Sequence, residues 1–334
     1  MQKKMKIAFF ELENHEKEFL RKKINADFFS CHLTNSNASK FKDYDILAVF
    51  IHKKVTKSIL NKLKKVKLIA TMSTGYDHID LEECKKRKIS VAYVPLYGEN
   101  TVAEQAFGLI LTLTRKLNES IARVKSGSFS VNGLTGIDLN NKTLGIIGTG
   151  SIGKHMIRMA KGFNMNVIAY DIHPDKKLAK ELGFKFDTFD NILKKSDIIS
   201  LHVPYNKFTH HMINMNNIKK IKKGAILINT ARGGLIETRA LIKALNEKIL
   251  SGAGLDVLEE ENFIGEEAKL IKSKIIQEDI KILLENDILI KKTNVIITPH
   301  NAFNTKEAIE RILETTANNI KSYVKGKKVN LVQT

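Results

Sequence analysis

The 334-residue sequence predicts an α/β fold of two doubly wound parallel-sheet domains with a cleft between them. Three observations carry this. Short apolar runs alternate with polar helical stretches along most of the chain, the alternation falls into two series, and a long apolar helical stretch joins them. Alternating strand and helix signals specify a parallel sheet covered on both faces, because each crossover between parallel strands needs a helix.

The first series reads KIAFF, then Glu13 to Lys23; DILAVF, then Val55 to Leu63; KLIA, then Ile79 to Lys86; and finally ISVAYV. Residues 101–125, opening TVAEQAFGLILTLTRKL, predict one continuous helix, with Thr101 as N-cap and Glu104 three residues on in a capping-box arrangement. The second series begins at Thr143 with TLGII and continues through VIAYD, DIISLHV, AILINT, SGAGLDV and NVIITPH. Residues 262–292 form a polar, Lys/Glu/Ile-rich insertion with helical periodicity around Lys281 to Leu289. A last helix, Thr305 to Tyr323, is expected to return to the first domain. The domains are therefore expected at 1–99 plus 302–334 and at 100–301.

Composition narrows the class. A hydrophobic share of 43% fills sizeable cores. The apolar run Met5 to Phe10 is too short for a signal peptide. No stretch approaches the roughly 20 apolar residues that cross a bilayer. Cys31 and Cys84 match no metal spacing, so a reduced, cytoplasmic protein without a metal is expected. The formal charge of +19 is mostly lysine, since only eight of the 55 basic residues are arginine. The lysines cluster at Lys62 to Lys67, Lys85 to Lys88, Lys219 to Lys223 and Lys325 to Lys328, without the aromatics or reading helix that nucleic-acid binding requires. Attraction for small anionic substrates accounts for the charge better.

TLGIIGTGSIGKHMIRMA places Gly148, Gly150 and Gly153 in G-x-G-x-x-G spacing, with Thr149, Ser151 and Ile152 between them. The triplet alone is a weak signal. Here an apolar strand leads in, an amphipathic helix leads out, and VIAYD places Asp171 18 residues after Gly153. Gly148 serves the tight turn, Gly150 the approach of backbone to a pyrophosphate, and Gly153 close helix–strand packing. The helix N-terminus offers free N–H groups to the anion. Asp171 suits ribose hydroxyls and repels a 2′-phosphate, which favours NAD over NADP. The second domain is thus a Rossmann NAD-binding domain.

Three more charged positions lie just past strands of that series. AILINT is followed by Ala231-Arg232-Gly233-Gly234, SGAGLDV carries Asp256 and then Glu259, Glu260 and Glu261, and NVIITP ends at His300. Strand carboxyl ends line the ligand crevice of an open parallel sheet. Arg232, one of these carboxylates and His300 are therefore expected to meet beside the nicotinamide.

With these residues in view, the chain resembles the D-isomer-specific 2-hydroxyacid dehydrogenases along nearly its whole length. The resemblance rests on STGYDHID (73–80), VPLYGENTVAE (94–104), GTGSIG with Asp171, LHVP (201–204), NTARGG (229–234), GAGLDVLEEE (252–261) and TPHNAF (298–303). The segment between Glu261 and Asn294 and the tyrosine of VPLY resemble the fermentative D-lactate dehydrogenase branch. The resemblance implies a flavodoxin-like substrate domain beside the Rossmann domain, reversible reduction of a small 2-oxo acid with NADH, and pyruvate/D-lactate as the expected pair. It makes His300 the general acid, steadied by Glu261, with Glu259 and Glu260 as solvated neighbours. Arg232 binds the substrate carboxylate and polarises the keto group, and the N–H groups around Thr74 and Gly75 take the carboxylate's other side. His202, Val203, Pro204, Thr230, Ala231 and Asp256 are implied at the cofactor, and Tyr97, Phe303 and Phe50 around a small substrate side chain. Asp77 and His78 fix their loop. Many relatives carry arginine where this chain has Met72. The same resemblance implies a homodimer formed through the second domain, with residues 101–125 contributing.

Three other readings remain in view. Glyoxylate, hydroxypyruvate or phosphoglycerate-type reductases share the family. Corepressors of the C-terminal-binding type, which sense NADH and bind peptides, resemble it too. Formate dehydrogenases of the family pair the histidine with glutamine, against which the carboxylates at 259 to 261 argue.

Overall fold

Strands covered by helices on both faces read as unbroken apolar runs, and Ile7–Phe9 (β1), buried throughout, begins this chain in that way. The computed structural model describes residues 5–261 and 277–333. The chain forms two compact units, one of Met1–Gly98 with Asn304–Thr334 and one of Glu99–Phe303.

In the first unit β1 is followed by α1 (Asn14–Arg21), β2 (Asp27–Phe28), β3 (Ile46–Val49), α2 (Lys57–Leu60), β4 (Leu68–Thr71), α3 (Leu81–Lys86) and β5 (Ser90–Ala92). The sheet order is β2-β1-β3-β4-β5, all parallel, the flavodoxin-like winding. The helices start where side chains can satisfy the first free N–H groups. The Glu13 N–H donates to Glu16 Oε2 at 2.7 Å before α1, and Asp80 Oδ1 accepts from the Glu83 N–H at 2.9 Å before α3.

The second unit opens with α4 (Glu99–Thr114) and α5 (Leu117–Lys125). It continues through β6 (Thr143–Ile147), α6 (Ser151–Gly162), β7 (Asn166–Tyr170), α7 (Lys176–Leu182), β8 (Lys185–Phe186), α8 (Phe189–Lys195) and β9 (Ile198–Leu201). Then come β10 (Ala225–Asn229), α9 (Thr238–Asn246), β11 (Leu250–Leu255), α10 (Gln277–Ile290) and β12 (Val295–Ile297). The order β12-β11-β10-β9-β6-β7-β8 is all parallel and reverses direction between β6 and β9. Two cores flank this sheet with the period-two alternation of strands: on β10 Leu227 joins one, Ile226 and Ile228 the other. Each such buried side chain contributes about 2 kcal/mol. The expected insertion at 262–292 is described only from Gln277, where α10 packs on α9, and residues 262–276 lie outside the described residues.

The chain then re-enters the first unit as α11 (Lys306–Val324), capped by the Thr305 hydroxyl, which accepts from the Ala308 N–H at 3.3 Å. It packs against α1 and β4. Asn319 Nδ2 donates to the Tyr93 carbonyl at 2.9 Å, and Arg311 Nε donates to that of Tyr97 at 2.6 Å.

Two expectations need correction. The stretch 101–125 is two helices, broken at Lys116, whose backbone is left-handed at φ +48°. The Thr114 carbonyl at the break accepts the Ile137 N–H at 2.9 Å, and Lys116 Nζ donates to the Gly133 carbonyl at 2.7 Å, so a later segment takes over the end of the first helix. Nor is Thr101 an N-cap. It is buried inside a helix that already began at Glu99, and Glu104 accepts instead from Asn100 Nδ2 at 3.1 Å. Among the described residues no helix is long and apolar enough to cross a membrane.

Candidate active site

The glycine loop sits where β6 meets α6, beside the reversal of strand order. Gly148 has φ +97°, and a Cβ there would stand 2.5 Å from the His202 carbonyl oxygen, so the turn and the packing both require glycine. A Cβ on Gly153 would collide with the Gly148 carbonyl. At Gly150 nothing lies within 4 Å of a Cβ, which leaves room for a phosphate at the N-terminus of the 12-residue α6. Asp171, one residue past β7, accepts at Oδ2 from the Thr149 N–H (2.7 Å) and hydroxyl (2.8 Å), and at Oδ1 from the His173 N–H (2.9 Å). Burial raises its carboxyl, but these hydrogen bonds outweigh burial and hold it below the usual carboxylate range.

Past β9, His202 and Val203 border the same loop, and Pro204 follows them in the chain. His202 Nε2 lies 2.8 Å from Ser200 Oγ, and its Nδ1 is buried without a partner among the described residues. Among the described residues Thr230 Oγ1, beyond β10, and Asn301 Oδ1, beyond β12, are buried and unpartnered as well. Buried polar atoms of this kind call for a partner. Three of them past the carboxyl ends of the strands, together with the glycine cradle, fit the nicotinamide half and the pyrophosphate of a dinucleotide.

Burial pushes the His202 imidazole down to about 3. The folded chain therefore carries it neutral, while the unfolded chain takes up a proton below about 6.5. Its contribution to stability is intact above that pH and is lost as pH falls toward 3, at up to about 1.4 kcal/mol per unit. Urea unfolding of His202→Asn should show a smaller loss of stability between pH 7 and 4.5 than the parent protein shows. Equal losses in the two proteins would mean that His202 is not the group responsible.

Strands β10, β11 and β12 are neighbours, in the register Asn229–Leu255–Ile297. Adjacent strands lie about 4.8 Å apart, so the residues that follow these three emerge side by side. Buried Asn229 shapes the first loop: its Oδ1 accepts from the Ala231 N–H at 3.0 Å and its Nδ2 donates to the Arg232 carbonyl at 2.8 Å. Arg232 Nη1 donates to the Ala231 carbonyl at 2.7 Å. A Cβ on Gly233 would overlap the backbone of Leu258 and Glu259, so glycine lets the Arg232 loop lie directly on the loop that carries Glu261.

Glu261 Oε1 meets His300 Nδ1 at 2.5 Å, while its Oε2 accepts from the Leu258 N–H at 2.9 Å. His300 is left-handed at φ +51°, and its N–H donates to the Asp256 carbonyl at 2.8 Å. The Asp256 carboxylate accepts from the Thr298 hydroxyl, from the Asn301 N–H at 3.1 Å and from the Ala302 N–H at 2.8 Å. It organises the histidine's own loop, and burial raises its carboxyl above the ordinary range. One expectation is corrected here: Glu259 is no solvated neighbour. Its side chain is only 10% exposed and pairs with His211 Nε2 at 2.5 Å.

In the first unit, the Thr74 hydroxyl donates to the Val94 carbonyl at 2.7 Å, and Ser73 Oγ donates to that of Gly75 at 2.6 Å. The N–H groups of Thr74 and Gly75 make no hydrogen bond among the described residues. His78 is buried behind this loop, with Nε2 3.3 Å from the Thr71 hydroxyl. Met72 and Phe50 are buried apolar side chains. Tyr97 follows β5, and Phe303 closes the second unit.

Sequence reasoning missed Asn229, Glu259 with His211, and the loop-organising role of Asp256. The Asn229 position at a strand end was the one available signal.

A parallel sheet with a glycine cradle at its point of reversal, and an arginine, a glutamate and a histidine at three neighbouring strand ends, defines an NAD-linked dehydrogenase. The family "D-isomer specific 2-hydroxyacid dehydrogenase, NAD binding domain" matches residues 107–302. The chain is 40% identical to a 2-hydroxyacid dehydrogenase homolog of Zymomonas mobilis, across 97% of this chain and 98% of that one. It is 39% identical to a glyoxylate reductase of Thermococcus litoralis, across 86% and 82%. The solved D-lactate dehydrogenase of Aquifex aeolicus, complexed with NAD and lactic acid, superposes with a TM-score of 0.84 at 39% identity, across 96% of each chain. The chain belongs to the D-isomer-specific 2-hydroxyacid dehydrogenase family and is an NAD-dependent oxidoreductase.

Proposed function

We propose that the protein interconverts pyruvate and D-lactate, with His300 as general acid and base, Glu261 as its partner and Arg232 as the receptor of the substrate carboxylate. The observation that carries this is the 2.5 Å contact between Glu261 Oε1 and His300 Nδ1. It fixes the ring through one nitrogen and leaves Nε2 to exchange a proton with the substrate oxygen. A carboxylate in that position orients the ring. Arg232 is always charged, and its planar fork matches a carboxylate while its field polarises the adjoining ketone. Bound NADH supplies the hydride. Proton delivery by His300 to the keto oxygen completes the reduction, and the reverse step removes the proton from the hydroxyl of the 2-hydroxy acid.

The Aquifex enzyme's lactic acid supports the lactate assignment, and the Thermococcus relative's name supports glyoxylate as the second reading. The reading includes a homodimer. On α5, Leu117, Ile121 and Val124 share one face and are exposed, and the following segment exposes Phe129 (84%) and Val131 (77%). Steady-state assays with NADH should give the highest kcat/KM for pyruvate among pyruvate, glyoxylate, hydroxypyruvate and larger 2-oxo acids, on material that sediments as a dimer. A higher value for glyoxylate would move the assignment to the second reading. Inactivity toward the whole panel would end both.

A further inference from the structure

Glu259 takes no part in the mechanism above, yet it is bound on every side. Its Oε1 holds His211, and its Oε2 accepts from the Thr238 hydroxyl at 2.8 Å and the Thr238 N–H at 3.2 Å, at the start of α9. Its carbonyl accepts from Asn286 Nδ2 at 2.7 Å. The partners belong to a closed circuit. The His211 N–H donates to the Gly234 carbonyl at 2.8 Å, and the His211 ring stacks on that of His210 at 3.8 Å. His210 Nδ1 lies 3.0 Å from the Tyr205 hydroxyl, and a Cβ on Gly234 would stand 2.6 Å from the Tyr205 ring. The Arg232-Gly233-Gly234 loop is thus held between the Tyr205 ring on one side and the Leu258–Glu259 backbone on the other. The Glu259 side chain spans the gap by gripping His211, which is bonded to Gly234.

We propose that Glu259, acting through His211, is a positioning residue that locks the Arg232 loop against the Glu261 loop and thereby sets the affinity for the substrate carboxylate. The proposal rests on the reading of Arg232 as the carboxylate receptor. It assigns a specific cost to losing the pair. A forked receptor displaced by about 1 Å can lose on the order of a hundredfold in rate. Loosening one of several supports should cost less, about tenfold, and mainly in KM because Arg232 acts on the substrate.

Glu259→Gln keeps the acceptor for Thr238 but loses the charge that grips His211, and His211→Asn removes the pair from the other end. Each should raise KM for pyruvate (and for glyoxylate assayed in parallel) about tenfold, with NADH affinity by fluorescence titration within about twofold. The double variant should be no worse than either single, because the two side chains act as a unit. Multiplying losses in the double, an unaltered KM in Glu259→Gln, or a lower melting temperature without any KM change would each overturn the proposal. So would an NADH affinity that weakens in step with KM. Arg232→Lys serves as reference. If it raises KM while Glu259→Gln does not, the positioning role alone fails. If Arg232→Lys itself leaves KM untouched, the reading of Arg232 fails instead.

Discussion

Replacing His300 with glutamine should lower kcat about a thousandfold, within the range expected for loss of a positioned general acid. NADH affinity should stay within about twofold, because the glycine cradle and Asp171 are untouched. His300 has left-handed backbone, φ +51°, which glutamine tolerates less well than histidine or asparagine. His300→Asn therefore supplies the control: it loses the imidazole without the added strain, and its kcat should fall as far. Single-turnover measurement with saturating NADH reads the chemical step directly. Turnover within about tenfold of the parent in both variants would remove His300 from proton transfer.

Arg232→Gln should produce the larger loss in kcat/KM, roughly 10⁴-fold or about 5 kcal/mol, since it takes away both the charge that binds the carboxylate and the field on the ketone. Arg232→Lys should recover only part of this, because an ammonium keeps the charge but not the planar fork. The split is informative: the lysine variant should fail mostly in KM, the glutamine variant in KM and kcat together. If glutamine leaves KM at the parent value, some other cation must receive the carboxylate. In both variants Asn229 still holds the loop through its backbone groups, although the bond from the guanidinium to the Ala231 carbonyl is lost.

The sequence makes the sheets legible because buried parallel strands are apolar runs of fixed length, and the glycine loop legible because Gly148 and Gly153 answer steric demands and the spacing marks the turn. What it hides is tertiary. The two-residue strands β2 and β8 lie at the sheet edges and are too short to show a period. The break at Lys116 sits among good helix formers, and the Thr114 carbonyl beside it accepts instead from Ile137, farther along the chain. At the site, Glu259, Glu260 and Glu261 look alike as a charge run. The family resemblance singles out Glu261, and the fold brings His211 to the first and His300 to the third. The resemblance places Asp256 at the cofactor. In the fold its carboxylate is spent on three donors of the 298–302 loop.

The first unit is made of two pieces of chain, with α11 supplying cover for α1 and β4 after the whole second unit has intervened. On a ribosome, where synthesis is slow beside the folding of a contiguous domain, the Rossmann half has all its residues before its neighbour does. The amino-terminal strands lack the cover that α11 gives α1 and β4 until residues 306–324 have been made.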